Sequence, residues 1–180
     1  MPALSVLPRP PFEITPEQEE IRRTCRDFAA KEIRPISLAV DEGDTEFPRE
    51  VWNRAAEVGL TSFMLPERLG GGGMTDCLTG CLVQEELSYG CAGIGNLITS
   101  NGFFAEPVLA IGNEDQQRRW LEPLTGERPP LTALAVTEPE AGSDAASIRT
   151  AARRGDGVYV LSGQKSWIGE YILDTRLLLT

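Results

Sequence analysis

Ala135–Asp144, AVTEPEAGSD, decides how the rest of the chain is read. It overlaps a short apolar run, Leu131–Val136, that reads as a buried strand. The stretch then breaks into a loop that holds Pro139 and Gly142 and closes on Ser143 and Asp144. A strand that ends in such a loop aims it, and aimed loops carry function. This one presents the Thr137 hydroxyl, the Glu138 carboxylate, a glycine and the Ser143 hydroxyl in quick succession. Backbone N–H groups around a glycine turn can form a nest for an anion such as a phosphate. Composition does not say which anion.

Downstream, the period stays that of strands. Ser147–Ala152 and Val158–Leu161 read as two strands joined through Arg153–Gly157, a turn with hairpin chemistry. Lys165–Ile168 and Arg176–Thr180 read as two more. Upstream, the pattern is helical. Thr15 and Gln18 spell a capping box around Pro16, and Ile21, Cys25, Phe28, Ile33 and Ile36 follow at roughly helical spacing up to a bend at Pro35. Phe47-Pro48 opens a second helix with Val51, Trp52, Ala55 and Val58 on its apolar side, stopped at Gly59. PERLGGGG, 66–73, reads as a flexible connection, because neither GxxxxGK nor a strand with GxGxxG accompanies its glycines. Thr75 or Asp76 caps a third helix with Leu78, Cys81, Leu82 and Leu87 inward; its Glu85-Glu86 pair reads as solvated or structurally paired. A fourth helix spans roughly Ala92–Ile111, apolar nearly all round and so central. Asn113 caps a fifth, with Trp120 and Leu121 inward. Helices followed by strands predict an α+β chain. An arm at 1–12 precedes an all-helical domain at 13–129, and an incomplete antiparallel β-barrel or sandwich domain fills 130–180. The boundary falls at Pro129-Pro130.

Bulk properties narrow the function. A chain of 180 residues with 41% apolar content can bury a core. Its net charge of −10 carries no basic cluster, which argues against nucleic acid or an anionic membrane surface as a partner. No apolar run reaches membrane-spanning length. The proline-rich N-terminus resembles neither a signal peptide nor an organelle address, so a cytoplasmic location is the expectation. There is no histidine, which removes Ser-His-Asp and Cys-His catalysis and nearly all zinc sites. The four cysteines read as small buried hydrophobes; Cys77 and Cys81 lie one helical turn apart, which is not CxxC.

AVTEPEAGSD followed by Gly163–Ile168, GQKSWI, resembles the acyl-CoA dehydrogenase family. PERLGGGGM, VQEELSYG and IGNEDQQRRWLEPLTGE extend the likeness over nearly the whole chain from about Ile14. The resemblance implies an FAD enzyme that oxidises the α,β bond of acyl-CoA thioesters, with hydride passing to the flavin. It implies that Leu134, Val136 and Thr137 line the flavin ring. Gly142 and Ser143 would approach the phosphate-bearing part, and Ser143 would also border the acyl-CoA channel. Trp167 would lie against the flavin, with Ile168 and Gly169 continuing by backbone. Glu138 and Asp144 are expected to brace the loop rather than act as a base. No catalytic residue is assigned, because in most branches the family's glutamate base belongs to a C-terminal helical bundle that the resemblance does not cover. It covers about the first half of such an enzyme, and the final apolar strand reads as part of an unfinished domain.

One departure stands out. The family usually continues WI with Thr-Asn-Gly, where this chain has Gly169-Glu170-Tyr171. A missing Thr hydroxyl withdraws a hydrogen bond from the cofactor. The partners implied are other dehydrogenase subunits, as a homo- or hetero-oligomer, and an electron-transferring flavoprotein. Two alternatives stay open: a non-catalytic subunit that pairs with a complete dehydrogenase, and a related flavin oxidase or monooxygenase.

Overall fold

Thr15 starts the first helix because its hydroxyl accepts from Gln18 N–H at 3.2 Å while Gln18 Oε1 accepts from Thr15 N–H at 3.0 Å. The computed structural model describes residues 13–43, 48–169 and 176–179. Helix α1 runs Pro16–Phe28, widens to a π turn at Ala29–Ile33 and tightens to a 3₁₀ turn at Arg34–Ile36. Pro35 lacks an N–H and crowds the carbonyl four residues back, so the chain changes its hydrogen-bond spacing there rather than stopping. A short α2 follows at Ser37–Asp41, then α3 at Arg49–Glu57. Phe47, part of the expected start of α3, lies outside the described residues.

Helix α4, Cys77–Gly90, is capped by the Asp76 side chain on Thr79 N–H at 2.9 Å. The single helix expected over 92–111 is two: α5, Ala92–Thr99, and α6, Asn101–Ile111. The hydroxyls of Thr99 and Ser100 take the Asn96 and Leu97 carbonyls at 3.1 and 2.7 Å, a local bond that competes with helix continuation. Nor is this stretch buried all round. Phe104, Ala105 and Val108 enter the core, while Phe103 and Ile111 are exposed. Helix α7, Glu114–Leu121, begins in a second capping box, Asn113 with Gln116. Leu121 is buried as expected, but Trp120 faces out, with the Arg119 guanidinium 5.1 Å from its ring.

Two apolar clusters hold the helices. The first gathers Cys25, Phe28 and Ile33 with Val51, Phe63, Leu87 and Ile98; the second joins Leu65, Leu69, Phe104, Leu121 and Leu124. Beside the first lies a buried charge network. Arg22 donates to Glu86 at 2.9 Å, Arg26 also donates to Glu86, and the Arg26 guanidinium stacks 3.9 Å from the Tyr89 ring. Glu86 is therefore paired structurally, as expected, while Glu85 is exposed.

PERLGGGG is not a loose connection. Gly72, Gly73 and Met74 donate backbone N–H groups to Ser62, Leu65 and Phe63. A Cβ at Gly71 would stand 2.2 Å from the Leu65 carbonyl oxygen, so the glycine permits the two segments to touch. The cysteines divide as well. Cys25 is buried, Cys91 half-buried, and Cys77 and Cys81 are exposed, against the expectation that all are core.

The strands come last. β1, Thr132–Ala135, is inserted against α6. Thr132 donates to Asn101 Oδ1 at 2.7 Å, Asn101 donates to the Pro130 carbonyl at 3.4 Å, and the Trp52 indole donates to the Pro129 carbonyl at 3.1 Å. Helical side chains thus fix the entry to β1. β2, Ala151–Arg154, and β3, Tyr159–Ser162, form an antiparallel hairpin. β4, Arg176–Leu179, pairs with β1 in parallel, Thr132 opposite Arg176 and Ala135 opposite Leu179. The sequence reading expects only antiparallel pairs. The connection from β1 to β4 is longer than the dozen or so residues a parallel pairing needs, and it returns the chain in the same direction. Among the described residues the sheets do not close. Ser147–Thr150 and Lys165–Ile168, expected in strands, are not: Ala145–Ser147 is a 3₁₀ turn, β2 begins only at Ala151, and 165–168 has no strand pairing. No described helix is long and apolar enough to cross a membrane.

Candidate functional site

The site is built where the chain leaves β1. Glu138 and Ala141 exchange backbone hydrogen bonds at 2.9 and 3.1 Å, closing a tight turn over Pro139-Glu140. Gly142 and Ser143 follow, exposed, and the Asp144 side chain accepts from the Ser147 hydroxyl. Gly142 is not in the left-handed region, so the alternating backbone of a nest is not formed on it; no side chain or backbone atom lies within 4 Å of where its Cβ would stand.

Glu138 holds this loop together. Its carboxylate accepts from Arg149 N–H at 2.8 Å and Thr150 N–H at 2.9 Å. Lys165 Nζ stands 3.2 Å from the same carboxylate and donates to the Val136 carbonyl at 2.8 Å; both side chains are over nine-tenths buried. The neighbouring Thr150 hydroxyl, the Arg149 and Thr150 N–H groups and the Lys165 ammonium lower the carboxyl from 4.5 to about 2. A carboxylate held this acidic is a poor proton acceptor near neutral pH. Glu138 is a brace, as expected, not a base.

The second motif folds onto the first. A Cβ at Gly163 would fall 2.3 Å from the Thr150 hydroxyl, so only glycine lets the chain leave β3 this closely. Ser166 N–H then donates to the Thr137 carbonyl at 2.9 Å. Thr137, half-buried, and Trp167, exposed, are thereby brought to one place. Trp167 takes a left-handed φ of 60°, uncommon for a bulky residue, and is 93% exposed. Strain at an exposed aromatic marks a positioned group rather than a packed one. Leu134, Val136 and Ile168 are half-buried nearby in the chain, and Gly169 is exposed with open space around it. Glu170 and Tyr171 lie outside the described residues.

Lys165 is the residue that sequence reasoning passed over. Its signal was a lone cation inside an otherwise uncharged stretch, GQKSWI, opposite an acid in the other motif. Asn101 was missed for a plainer reason: a polar side chain in an apolar helix shows its partner only in three dimensions.

Comparison with known proteins covers both the helical region and the start of the strands. Residues 15–128 match the family model of the acyl-CoA dehydrogenase N-terminal domain, and 133–172 that of the middle domain. The chain belongs to the acyl-CoA dehydrogenase family. It is similar to the short-chain specific acyl-CoA dehydrogenase of Bos taurus mitochondria, 37% identical over 158 residues, which cover 87% of this chain and 37% of that one. Among solved structures, butyryl-CoA dehydrogenase from Megasphaera elsdenii superposes with a TM-score of 0.81 at 29% identity, over 93% of this chain and 44% of the other. An acyl-CoA dehydrogenase complexed with FAD from Bacillus anthracis gives 0.80 at 28% identity, over 94% and 29%. The chain therefore spans well under half the length of these relatives. They share a helical domain and the start of a β domain with it.

Proposed function

We propose that this chain supplies the flavin-facing part of an FAD-dependent acyl-CoA dehydrogenase. The Ser166–Thr137 hydrogen bond is the observation that supports this reading best, because it joins the two motifs into one surface. The residues present fit a flavin. The exposed indole of Trp167 offers a planar face, the Thr137 hydroxyl offers a hydrogen-bonding group, and the uncrowded Gly142 lets a bulky anionic group approach the backbone. When bound, the flavin accepts the β hydrogen of the acyl-CoA as hydride.

In this reading Leu134, Val136 and Thr137 line the ring, and Ile168 and Gly169 continue the contact. Gly142 and Ser143 border the diphosphate, with Ser143 also facing the thioester substrate. Lys165 and Glu138 carry no chemistry; they keep both turns in register. The α-proton is left to a base outside these residues, since Glu138 is held ionised and braced. The complete enzyme passes its electrons to an electron-transferring flavoprotein and works as an oligomer of dehydrogenase subunits.

The test is an FAD titration of the purified chain, followed by flavin and tryptophan fluorescence. Saturable binding that quenches Trp167 is expected, and Trp167→Ala with Thr137→Val should weaken it at least tenfold. Binding unchanged in that double variant, or no binding by the folded chain, rejects the reading. Gly169→Thr refines it. The open space at Gly169 admits the side chain, and one restored hydrogen bond should tighten FAD by about 0.5–1.5 kcal/mol.

A further inference from the structure

A groove of about 350 Å³ runs between α4 and α6. Cys77, Gly80, Cys81 and Gln84 line it from α4, and Thr99, Gly102, Phe103 and Glu106 from the facing segment. The first set repeats at helical spacing and is one face of α4; in the second, Thr99 ends α5 and the other three lie on α6. The groove is apolar, closed at its side by Phe63 and Met64, and two of the chain's four thiols open into it.

These two thiols differ from the others. Cys25 is fully buried and pushed up to about 12, and Cys91 packs half-buried on the first core cluster. Cys77 and Cys81 are exposed on one helical face. Each is near enough for the Cys77 side chain to raise the Cys81 thiol, so Cys81 stays protonated at neutral pH.

A disulfide does not suit the pair. Cβ atoms four apart on a helix are about 5–6 Å from one another, whereas a disulfide needs about 3.8 Å. Unwinding the first turn of α4 would close the gap, but that turn is fastened. Asp76 caps it, and Gln18 of α1 donates to Asp76 and to the Thr79 hydroxyl at 3.2 and 3.1 Å. One atom set between the two sulfurs spans the distance without moving the backbone.

We propose that Cys77 and Cys81 form a dithiol site that captures a trivalent aryl arsenical, with the aryl group seated in the groove beside Phe103. Two As–S bonds form as the arsenical's As–O bonds break. The two thiol protons leave with the oxygen as water, and neither arsenic nor sulfur changes oxidation state. Soft sulfur donors suit a soft centre, and the apolar walls suit the ring. The inference does not depend on flavin binding.

Phenylarsine oxide added to the full chain should give one adduct by intact mass, mapping to the peptide with both cysteines. Excess monothiol should leave it in place and a dithiol should remove it. Cys77→Ser or Cys81→Ser should each weaken retention by about 100-fold or more, since the second bond forms at high effective concentration. Cys91→Ser should change nothing. Phe103→Ala should weaken phenylarsine oxide and leave methylarsine oxide unaffected. Circular dichroism verifies that each variant is folded. An adduct on Cys91, retention unchanged in either single serine variant, or no adduct on the native chain overturns the proposal.

Discussion

The helical region buries most of its apolar side chains in two clusters, whereas the β2–β3 hairpin leaves its own in water. Phe28, Leu87, Ile98 and Leu121 are buried, while Val158, Tyr159, Val160 and Leu161 are each more than half exposed. The difference is one of geometry. A helix satisfies its own backbone and needs only one stripe covered, which a few neighbouring helices supply. A two-stranded hairpin has two faces and two edges, and needs a third strand or another layer. Four consecutive exposed apolar residues mean that neither face of β3 is covered by the described residues. The helical part has its own core; the hairpin has none among the described residues. The functional motifs sit at the seam, on loops that the helical part holds through Trp52 and Asn101 and that Lys165 and Glu138 hold together.

This contrast predicts where substitutions hurt. Trp52→Ala should cost most, about 3–5 kcal/mol, because it opens a large cavity and frees the Pro129 carbonyl. Urea unfolding checks it, and a loss below about 1 kcal/mol would show that β1 does not depend on that contact. Glu86→Gln comes next. It removes the carboxylate charge that Arg22, almost wholly buried, shares with Arg26, while Arg22 keeps Glu19 at 3.3 Å; a broken buried pair costs about 3 kcal/mol. A melting temperature unchanged by this variant would mean that the network adds nothing.

Glu138 sharpens the comparison through pH. Its folded carboxyl is depressed from 4.5 to about 2, so it stabilises the fold above pH 4.5 and that contribution is lost as pH falls toward 2. Glu138→Gln should flatten the acid limb of the stability profile over that window while leaving the helical transition in place. Equal pH slopes for the two proteins would remove Glu138 as the brace. The smallest effect is expected at Leu161→Ser. An exposed side chain that touches no core should change stability by no more than about 0.5 kcal/mol. A larger loss would show that the hairpin is covered in solution, and light scattering on both forms would identify self-association as the cover.

Much of this was legible beforehand because it depends on neighbours in sequence. Thr15 with Gln18, and Asn113 with Gln116, cap helices within four residues, so the letters alone predict them. The α+β order and the motif pair were equally readable. Other features depended on distant partners. The break at Ser100 is the local exception, where two hydroxyls compete for the carbonyls three residues back in an otherwise helical run. The close packing of the four-glycine segment follows from Leu65 and Phe63, which lie before it in the chain but beside it in space. Cys77 and Cys81 share the spacing of core residues but face the groove, since the helix turns its other side inward.

The sequence by itself determined the helix caps, most of the helical segments and the β2–β3 hairpin, because caps, periodicity and turn composition act over a few residues. Only the tertiary structure decided that Ser166 bonds to Thr137, that β4 returns parallel to β1, and that a lysine no motif rule singles out clips both turns to one carboxylate. Those outcomes come from hydrogen bonds and buried charge between groups far apart along the chain, and such partners are chosen only once the core has packed.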